Sequence, residues 1–261
     1  MLRLEDLTEE NLEDVFKICS HGRMEDHLQK QGITLKRQWL LDMLQEYGSC
    51  TKIAYLDGKP IGQILHYPES ADPTFETPRK WVMVIHCTYI PFSQYHGIGA
   101  GSMLVRGLID EFKRGPRSLK GDRCTFISAQ AFNTGEGQAL GTFYERHGFQ
   151  QGIDEMYLEI HGEYQPKHVR AYRPLPGDKG RAVLFYEPMC EWSIGFAIRA
   201  KKFLKGLAPD LPVTLINNWE EPGEYLKRGG QQMVVNATPI TSFWTDKEAL
   251  TREVKKALNN P

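Results

Sequence analysis

Pro91-Phe92-Ser93-Gln94-Tyr95-His96-Gly97-Ile98-Gly99-Ala100-Gly101-Ser102-Met103-Leu104 is the stretch on which the reading of the fold turns. Just before it, Trp81–Ile90 is a near-continuous apolar run, as expected of a buried central strand. Pro91 ends that strand, because proline has no N–H to offer a ladder. Three glycines at alternate positions then open a helical segment from about Ile98 to Lys113, with Leu104, Leu108, Ile109 and Phe112 inward. Strand, glycine turn and helix in this order gather backbone N–H groups and the positive end of a helix at one point. That arrangement serves phosphate or pyrophosphate binding.

Working outward, the chain opens with a short strand, Leu2–Leu4, and a helix capped by Thr8 with Glu9 and Glu10 in its first turn. Leu12, Val15, Phe16 and Cys19 form its apolar stripe. A second helix is expected from Leu35 to Tyr47, with Leu40, Leu41 and Leu44 inward. Cys50–Leu56 and Pro60–Tyr67 read as strands joined by Asp57-Gly58, a strong hairpin turn. A Pro-rich loop, Pro68 to Pro78, leads to the central strand. Beyond the glycine turn come strand Arg123–Ala131, helix Gln138–His147 and strand Met156–Ile160. The sum is a mixed α/β domain, α+β-like, around one central mixed sheet.

Residues 163–180, rich in Pro and Gly, read as a linker between a domain at 1–162 and a second unit at 181–261. That unit is expected to contain strand Ala182–Tyr186, helix Ile194–Leu207, strand Val213–Asn217 and a short helix near Glu224–Lys227. Strands Gln232–Ala237 and Thr241–Trp244 follow, then a helix, Lys247–Ala257, capped by Asp246 or Thr245.

Composition narrows the classes of function. The 261 residues carry a net charge of −1, which gives no concentrated basic face for nucleic acid. The run Arg199 to Lys205 suits the wet face of a helix. No segment approaches the ~20 apolar residues needed to span a bilayer. The N-terminus has no apolar h-region, so the expected compartment is the cytoplasm, with no membrane partner. Cys19, Cys50, Cys87, Cys124 and Cys190 are scattered without a Cys-x-x-Cys pair, which argues against a disulfide scaffold and a structural metal site.

Three phosphate-binding patterns compete for the glycine turn. A Walker loop is excluded because no Gly-Lys-Ser/Thr follows. The dinucleotide fingerprint fits poorly, since the glycines fall as Gly97-x-Gly99-x-Gly101 and after a central strand. Gln94-x-x-Gly97-x-Gly99-Ala100 instead resembles the acetyl-coenzyme A segment of the GNAT N-acetyltransferase superfamily. A second segment of that family is matched by Ala139, Phe143, Tyr144, Gly148 and Phe149. The resemblance covers residues 1–162 and implies the GNAT fold, acetyl-CoA as cosubstrate and acetyl transfer to a primary amine in a ternary complex.

By that resemblance, the turn amides at Gln94, Tyr95, Gly97, Ile98, Gly99 and Ala100 hold the coenzyme A pyrophosphate, and Tyr89 and Ile90 offer backbone to the pantetheine arm. Tyr144 becomes the candidate general acid on the leaving thiolate, against a reading in which it merely packs beside the cofactor. Where the family often has an Asn three residues before the Ala of this segment, this chain has Asn133, six before Ala139. The base is open. Met83, Ile85 and Cys87 occupy the family's strand positions and none is a useful base. His86 is a candidate by its chemistry, yet alternation aims it away from Ile85 and Cys87 unless the strand is bulged. Glu25 and Asp26 are further candidates against a solvated-loop reading.

Residues 181–261 resemble the YoaP-like, thioredoxin-like domain that follows some GNAT domains. Cys190 precedes a helix, and Thr238-Pro239-Ile240 resembles the cis-proline segment of that fold. With Cys190-Glu191-Trp192-Ser193 no internal disulfide can form, so Cys190 is a monothiol nucleophile, a ligand-contact thiol or a buried residue. The expected acceptor is a small-molecule or peptide-like amine, with a homodimer left open. The alternative is a non-catalytic acyl-CoA-binding scaffold whose C-terminal unit binds a thiol ligand.

Overall fold

Apolar alternation in the N-terminal half resolves into strands of one sheet. The computed structural model describes residues 1–131, 139–168, 170–242 and 246–260. In chain order the first elements are β1 (Leu2–Asp6), α1 (Leu12–Cys19), α2 (His27–Tyr47), β2 (Thr51–Leu56), β3 (Lys59–Pro68) and β4 (Met83–Tyr89). They are followed by α3 (Ala100–Arg114), β5 (Phe126–Ala129), α4 (Leu140–Glu145), β6 (Gln150–Gln151) and β7 (Met156–Glu159). The seven strands run in the order β1-β2-β3-β4-β5-β7-β6. β4 and β5 are parallel and the other neighbours antiparallel, so the sheet is mixed and the class is α/β, as the sequence implies.

Local chemistry sets these elements. Asp57 and Gly58 both have positive φ, 49° and 80°, the conformation a tight two-residue hairpin requires between β2 and β3. On one face of the sheet, Leu104, Val105, Leu108 and Phe112 of α3 are buried against Ile64, Met83, Ile85 and Ile127. Each such side chain contributes roughly 1.5–3 kcal/mol by leaving water. On the other face lies α1, whose Cys19 Sγ accepts a hydrogen bond from Gln63 Nε2 of β3 at 2.6 Å. Trp39 of α2 meets Tyr67 of β3 edge-on, with ring centroids 5.7 Å apart.

Several boundaries differ from expectation for identifiable reasons. α1 starts at Leu12, because Asn11 Oδ1 accepts from the Thr8 amide (2.8 Å) and Asn11 Nδ2 donates to the Asp6 carbonyl (3.0 Å), turning residues 8–11. α2 starts at His27, well before Leu35, since Asp26 Oδ1 accepts from the amides of Leu28 (2.9 Å) and Gln29 (3.1 Å). Within its residues 37–47, Trp39, Leu40 and Met43 are the buried ones, whereas Leu41 and Leu44 are only half-buried.

The chain divides into two compact units. The first comprises residues 1–24, 37–72 and 77–167, and the second residues 25–36, 73–76 and 168–261. The second contains β8 (Ala182–Tyr186), α5 (Ser193–Leu207), β9 (Val213–Asn217), α6 (Pro222–Leu226), β10 (Met233–Val235), β11 (Thr238–Pro239) and α7 (Lys247–Leu258). Its strand order is β11-β10-β8-β9, with β8 and β9 parallel. Ala200, Leu204, Leu250 and Val254 from α5 and α7 cover Ala182, Leu184 and Val235 on one face. Tyr225 of α6 packs against Val183, Phe185 and Ile216 on the other. Arg228, buried, donates to both oxygens of buried Asp178 at 2.7 Å.

Two expectations here are corrected. The strand after β10 is Thr238–Pro239, and Thr241 and Ser242, where the expected strand begins, donate instead to the Glu253 carboxylate of α7. Phe243, Trp244 and the alternative cap Thr245 lie outside the described residues. The peptide bond before Pro239 is trans, since no cis bond occurs among the described residues. Asp246 does cap α7, accepting from the Ala249 amide at 2.9 Å. Among the described residues no helix is long and apolar enough to cross a membrane.

His66 of β3 is fully buried on the α3 face, edge-on to Phe112 with centroids 5.4 Å apart. Neither ring nitrogen has a hydrogen-bond partner among the described residues. Burial first, and then the positive charge of Lys52, push its pKa down to about 3. An unfolded chain takes up this proton near pH 6.5, but the folded chain refuses it until about pH 3, so stability falls as pH drops between those values. Above pH 6.5 the group adds no pH dependence. His66→Met is expected to remove up to about 1.4 kcal/mol per pH unit of that slope, and to stabilise the protein by about 1 kcal/mol at pH 7. Urea unfolding at pH 7, 6, 5 and 4 checks this. Equal slopes for both proteins would refute it.

Candidate functional site

Among the described residues β4 and β5 pair only from Met83↔Ile127 to Ile85↔Ala129, with the Gln130 amide on the Ile85 carbonyl (3.2 Å) as the last link. β4 runs on to Tyr89 and keeps its antiparallel partner β3 as far as Gln63↔Tyr89. Two neighbouring parallel strands therefore part at their C-terminal ends. In open α/β sheets this is where ligands bind, because backbone groups and a following helix N-terminus converge there.

A bulge in β4 lies at the point of parting. Leu65 pairs with Cys87 and His66 with Ile85, so His86 is the extra residue. Residues opposite each other in the ladder share a face. Ile64↔Thr88 and His66↔Ile85 thus mark the α3 face, while Gln63↔Tyr89, Leu65↔Cys87 and Tyr67↔Val84 mark the α1 face. His86 stands 3.4 Å from the Tyr67 hydroxyl, on the α1 face. It lies opposite Ile85, as expected, but on the same side as Cys87 and Tyr89. The bulge corrects the alternation argument for Cys87. Nothing in the local composition marks a bulge, which is why the sequence does not disclose it.

The glycine turn follows directly. Ser93–Tyr95 form one turn of tight helix, and His96 Nε2 donates to the Ile90 carbonyl at 2.9 Å, holding the turn against the end of β4. Phe92 packs edge-on to Tyr95 (5.8 Å) and against His21 (5.1 Å). Gly97 and Gly99 have φ of 80° and 89°, a left-handed backbone that L side chains resist, and Gly99 is the N-cap of α3. The amides from Gly97 to Ser102 find no acceptor among the described residues. Gly101 serves packing, since a Cβ there would stand 3.3 Å from the Phe143 ring. The turn itself is exposed from His96 to Gly99, Ile98 included, and Ala100 is buried. Open amides at a helix N-terminus, with nothing among the described residues within 4 Å of where a Cβ at Gly97 or Gly99 would stand, can cradle an anion.

Tyr144 of α4 is wholly buried, packed on Phe143 and Phe149 with centroids 5.6 and 5.2 Å apart. Its hydroxyl and Thr88 Oγ1 are 3.0 Å apart, so the phenol touches β4 beyond the parting, on the α3 face. Burial pushes the phenol's pKa well above its ordinary value, and the Thr88 hydrogen bond only partly offsets this. Thr88 is a contact that the sequence does not point out. Asn133 lies outside the described residues. Cys190 sits half-buried three residues before α5 in the second unit. Glu25 is exposed and forms an ion pair with Lys30, while Asp26 caps α2. Among the described residues no group of three or more His, Cys, Asp or Glu is placed to hold a metal ion.

The chain matches no protein-family model and no curated protein. Among solved structures it is similar to an aminoglycoside acetyltransferase in complex with coenzyme A, at 20% identity and a TM-score of 0.46, over 61% of this chain and 95% of that one. It is also similar to a GNAT family acetyltransferase from Brucella melitensis in complex with acetyl-CoA, at 12% identity and a TM-score of 0.43, over 64% and 94% of the two chains. A third is the PaiA N-acetyltransferase of Thermoplasma acidophilum in complex with coenzyme A, at 15% identity and a TM-score of 0.42, over 63% and 99%. At these identities and TM-scores the likenesses carry no weight for function; the parted strands and the open amides do.

Gly99→Ala forces a Cβ into the left-handed region and is expected to cost about 1 kcal/mol of stability. If the turn cradles a pyrophosphate, the same change weakens coenzyme A binding at least about tenfold by calorimetry, because it displaces the amides on which a bound anion depends. Undiminished affinity in a folded variant would remove the turn from the binding site.

Proposed function

We propose that the first unit is an acetyl-CoA-dependent N-acyltransferase of GNAT type that moves an acetyl group to a primary amine by direct transfer in a ternary complex. The observation that carries this is the parting of parallel β4 and β5 beside the unsatisfied amides of Gly97 to Ser102. A thioester arm can add itself along β4 at Tyr89 and Ile90 while its pyrophosphate meets the amides of Gln94, Tyr95, Gly97, Ile98, Gly99 and Ala100. The expected acceptor is a small or peptide-like amine.

In this reading the amine nitrogen, once neutral, attacks the thioester carbonyl carbon. The carbon–sulfur bond then breaks, the sulfur takes a proton and the nitrogen loses one. Tyr144 is the proton donor to sulfur, as its hydroxyl lies at Thr88, next to Cys87 on the strand that would flank the thioester. Its raised pKa keeps the phenol protonated at neutral pH, as an acid must be before it acts.

The same burial favours one second reading. A phenol with no exposed surface and a raised pKa is a reluctant donor, which supports a non-catalytic acyl-CoA-binding scaffold. In either reading we take residues 181–261 as a thioredoxin-like domain. The strand order β11-β10-β8-β9, with its single parallel pair, supports this. Cys190, ahead of α5, would be its ligand-contact or reactive thiol.

Coenzyme A release from acetyl-CoA over a panel of primary amines tests the proposal. Turnover with one amine class is expected, cut about 10²-fold in kcat by Tyr144→Phe with acetyl-CoA affinity kept. Tight binding without turnover on any amine would establish the scaffold reading. Absence of binding would sink both.

A further inference from the structure

The net charge of −1 conceals a local excess of cations at the end of the first unit where β4 begins. Lys113 and Arg114 close α3, and Arg117, Lys120 and Arg123 follow in the connection to β5. All five are exposed, with Asp122 as the one acidic residue from Lys113 to Arg123. Lys52 and Arg79 of the same unit each hold two carboxylates, whereas among the described residues none of these five forms an ion pair. Lys113 and Arg114 suit the negative end of α3, but Arg117, Lys120 and Arg123 lie beyond it. Hydrogen bonds gather this end. Ser118 Oγ donates to Met83 Sδ at 3.6 Å, which seats the Arg117–Leu119 turn on the first residue of β4. His161 Nε2 donates to the Lys113 carbonyl at 2.9 Å, and the His161 amide donates to the Thr125 carbonyl at 3.0 Å. Thr125 in turn donates to the Trp81 carbonyl, through its amide at 2.9 Å and its hydroxyl at 3.0 Å.

Trp81 stands out for a second reason. Its φ is 58°, in the left-handed region that bulky L residues resist, and it is 45% exposed. Backbone strain of this kind gathers at ligand sites, held in place by its surroundings, here by Thr125. The other large apolar residues exposed among the described ones lie elsewhere. Met1 pairs with Asp57 of the β2–β3 hairpin, Ile98 is in the glycine turn, and Ile153 is in the β6–β7 turn. We propose that this end of the first unit binds single-stranded nucleic acid, with a base stacked on Trp81 and backbone phosphates met by the five cations. Three of the five are arginines, whose planar guanidinium matches a phosphate bidentately. A face that inserts into a bilayer presents a broad apolar surface, and this one presents a single aromatic among cations. An acidic peptide would match the charges but gives no reason for an exposed indole, whereas every base has a face to stack on it. The glycine turn follows the far end of β4, seven residues of strand or about 20 Å away. Binding here would therefore proceed whatever the turn holds.

Fluorescence anisotropy of the full chain with a labelled oligouridine of about 12 nucleotides, at salt from about 50 to 200 mM, tests this. Binding is expected, with log Kd rising against log salt at a slope of about 3.5, since each single-strand phosphate neutralised adds about 0.7. Arg117→Gln combined with Arg123→Gln is expected to lower that slope by about 1.4. Trp81→Asn, chosen because Asn tolerates the left-handed backbone, is expected to weaken binding about tenfold and leave the slope unchanged. Circular dichroism checks that both variants fold. Absence of binding at the lowest salt, or folded variants that bind like the wild type, overturns the proposal. So does equally tight binding of a glutamate peptide of the same length or of phosphatidylserine vesicles, which would assign the surface to an acidic peptide or to a membrane. Saturating coenzyme A is expected to leave the affinity unchanged. Competition would place the oligonucleotide on the glycine turn and overturns the proposal as well.

Discussion

The functional architecture depends on one broken ladder. Parallel neighbours in a sheet normally satisfy each other's backbone along their length, because a buried unpaired amide or carbonyl costs as much as a lost hydrogen bond. β4 gives up that partner after Ile85, where β5 ends its pairing at Ala129. It can do so because β3 continues to pair with it on its other edge as far as Tyr89. The sheet therefore stays whole on one side of β4 and opens on the other. α3 begins a few residues later, and its first amides find no acceptor among the described residues. The end of the β4–β5 pairing, the glycine turn and the helix N-terminus thus lie within about fifteen residues of chain, from Ile85 to Ala100.

Buried charge holds the connection that feeds this strand. Arg79 and Glu69 lie at the two ends of the segment between β3 and β4, and both are inaccessible to solvent or nearly so. The guanidinium donates to Glu69 through Nε at 3.0 Å to each oxygen, to Glu155 Oε2 at 3.0 Å and to the Gln165 carbonyl at 2.7 Å. Burial alone would lower its pKa, but hydrogen bonds to Glu155 and Glu69 outweigh this and raise it. Two carboxylates on one cation are tolerated because each oxygen is hydrogen-bonded; removing either partner from such a group typically costs about 3–5 kcal/mol. The cluster thereby ties together the points at which the chain leaves β3 and approaches β4. His66 shows the contrast. It is a buried polar group with no such compensation, tolerated only because it remains neutral.

Much of the first unit was legible because it follows local rules. The β2–β3 hairpin was marked by Asp57-Gly58, and α3 by three glycines followed by an apolar stripe. The elements that escaped were governed by single side chains. Asn11 shortened α1 and Asp26 lengthened α2, each through two hydrogen bonds of its own side chain, and the Gly32 interior to α2 disguised the longer helix. The site was legible in the same uneven way. Gly97 and Gly99 stand in a pattern that anion binding requires, so residue types and spacing single them out, whereas Tyr144 comes only from the family resemblance of its segment. The contact of Thr88 with the Tyr144 hydroxyl could not be singled out, because it depends on register. One extra residue in β4 changes which side chains share a face, and no residue type in Ile85-His86-Cys87 announces it.

That extra residue also sorts chemistry to the two sides of one strand. Thr88, with the Tyr144 hydroxyl on it, lies on the α3 face, while His86, Cys87 and Tyr89 lie on the α1 face. In the acyltransfer reading, a thioester lying along β4 would meet a proton donor on one side and a proton acceptor on the other. A straight strand would set His86 and Thr88 on the same face, two residues apart, and Cys87 on the other. The bulge offsets the count by one and parts them. The device that interrupts the ladder register thus lies one residue past the last β4–β5 pair, and a single irregularity at His86 accounts for the placement of both candidate proton carriers.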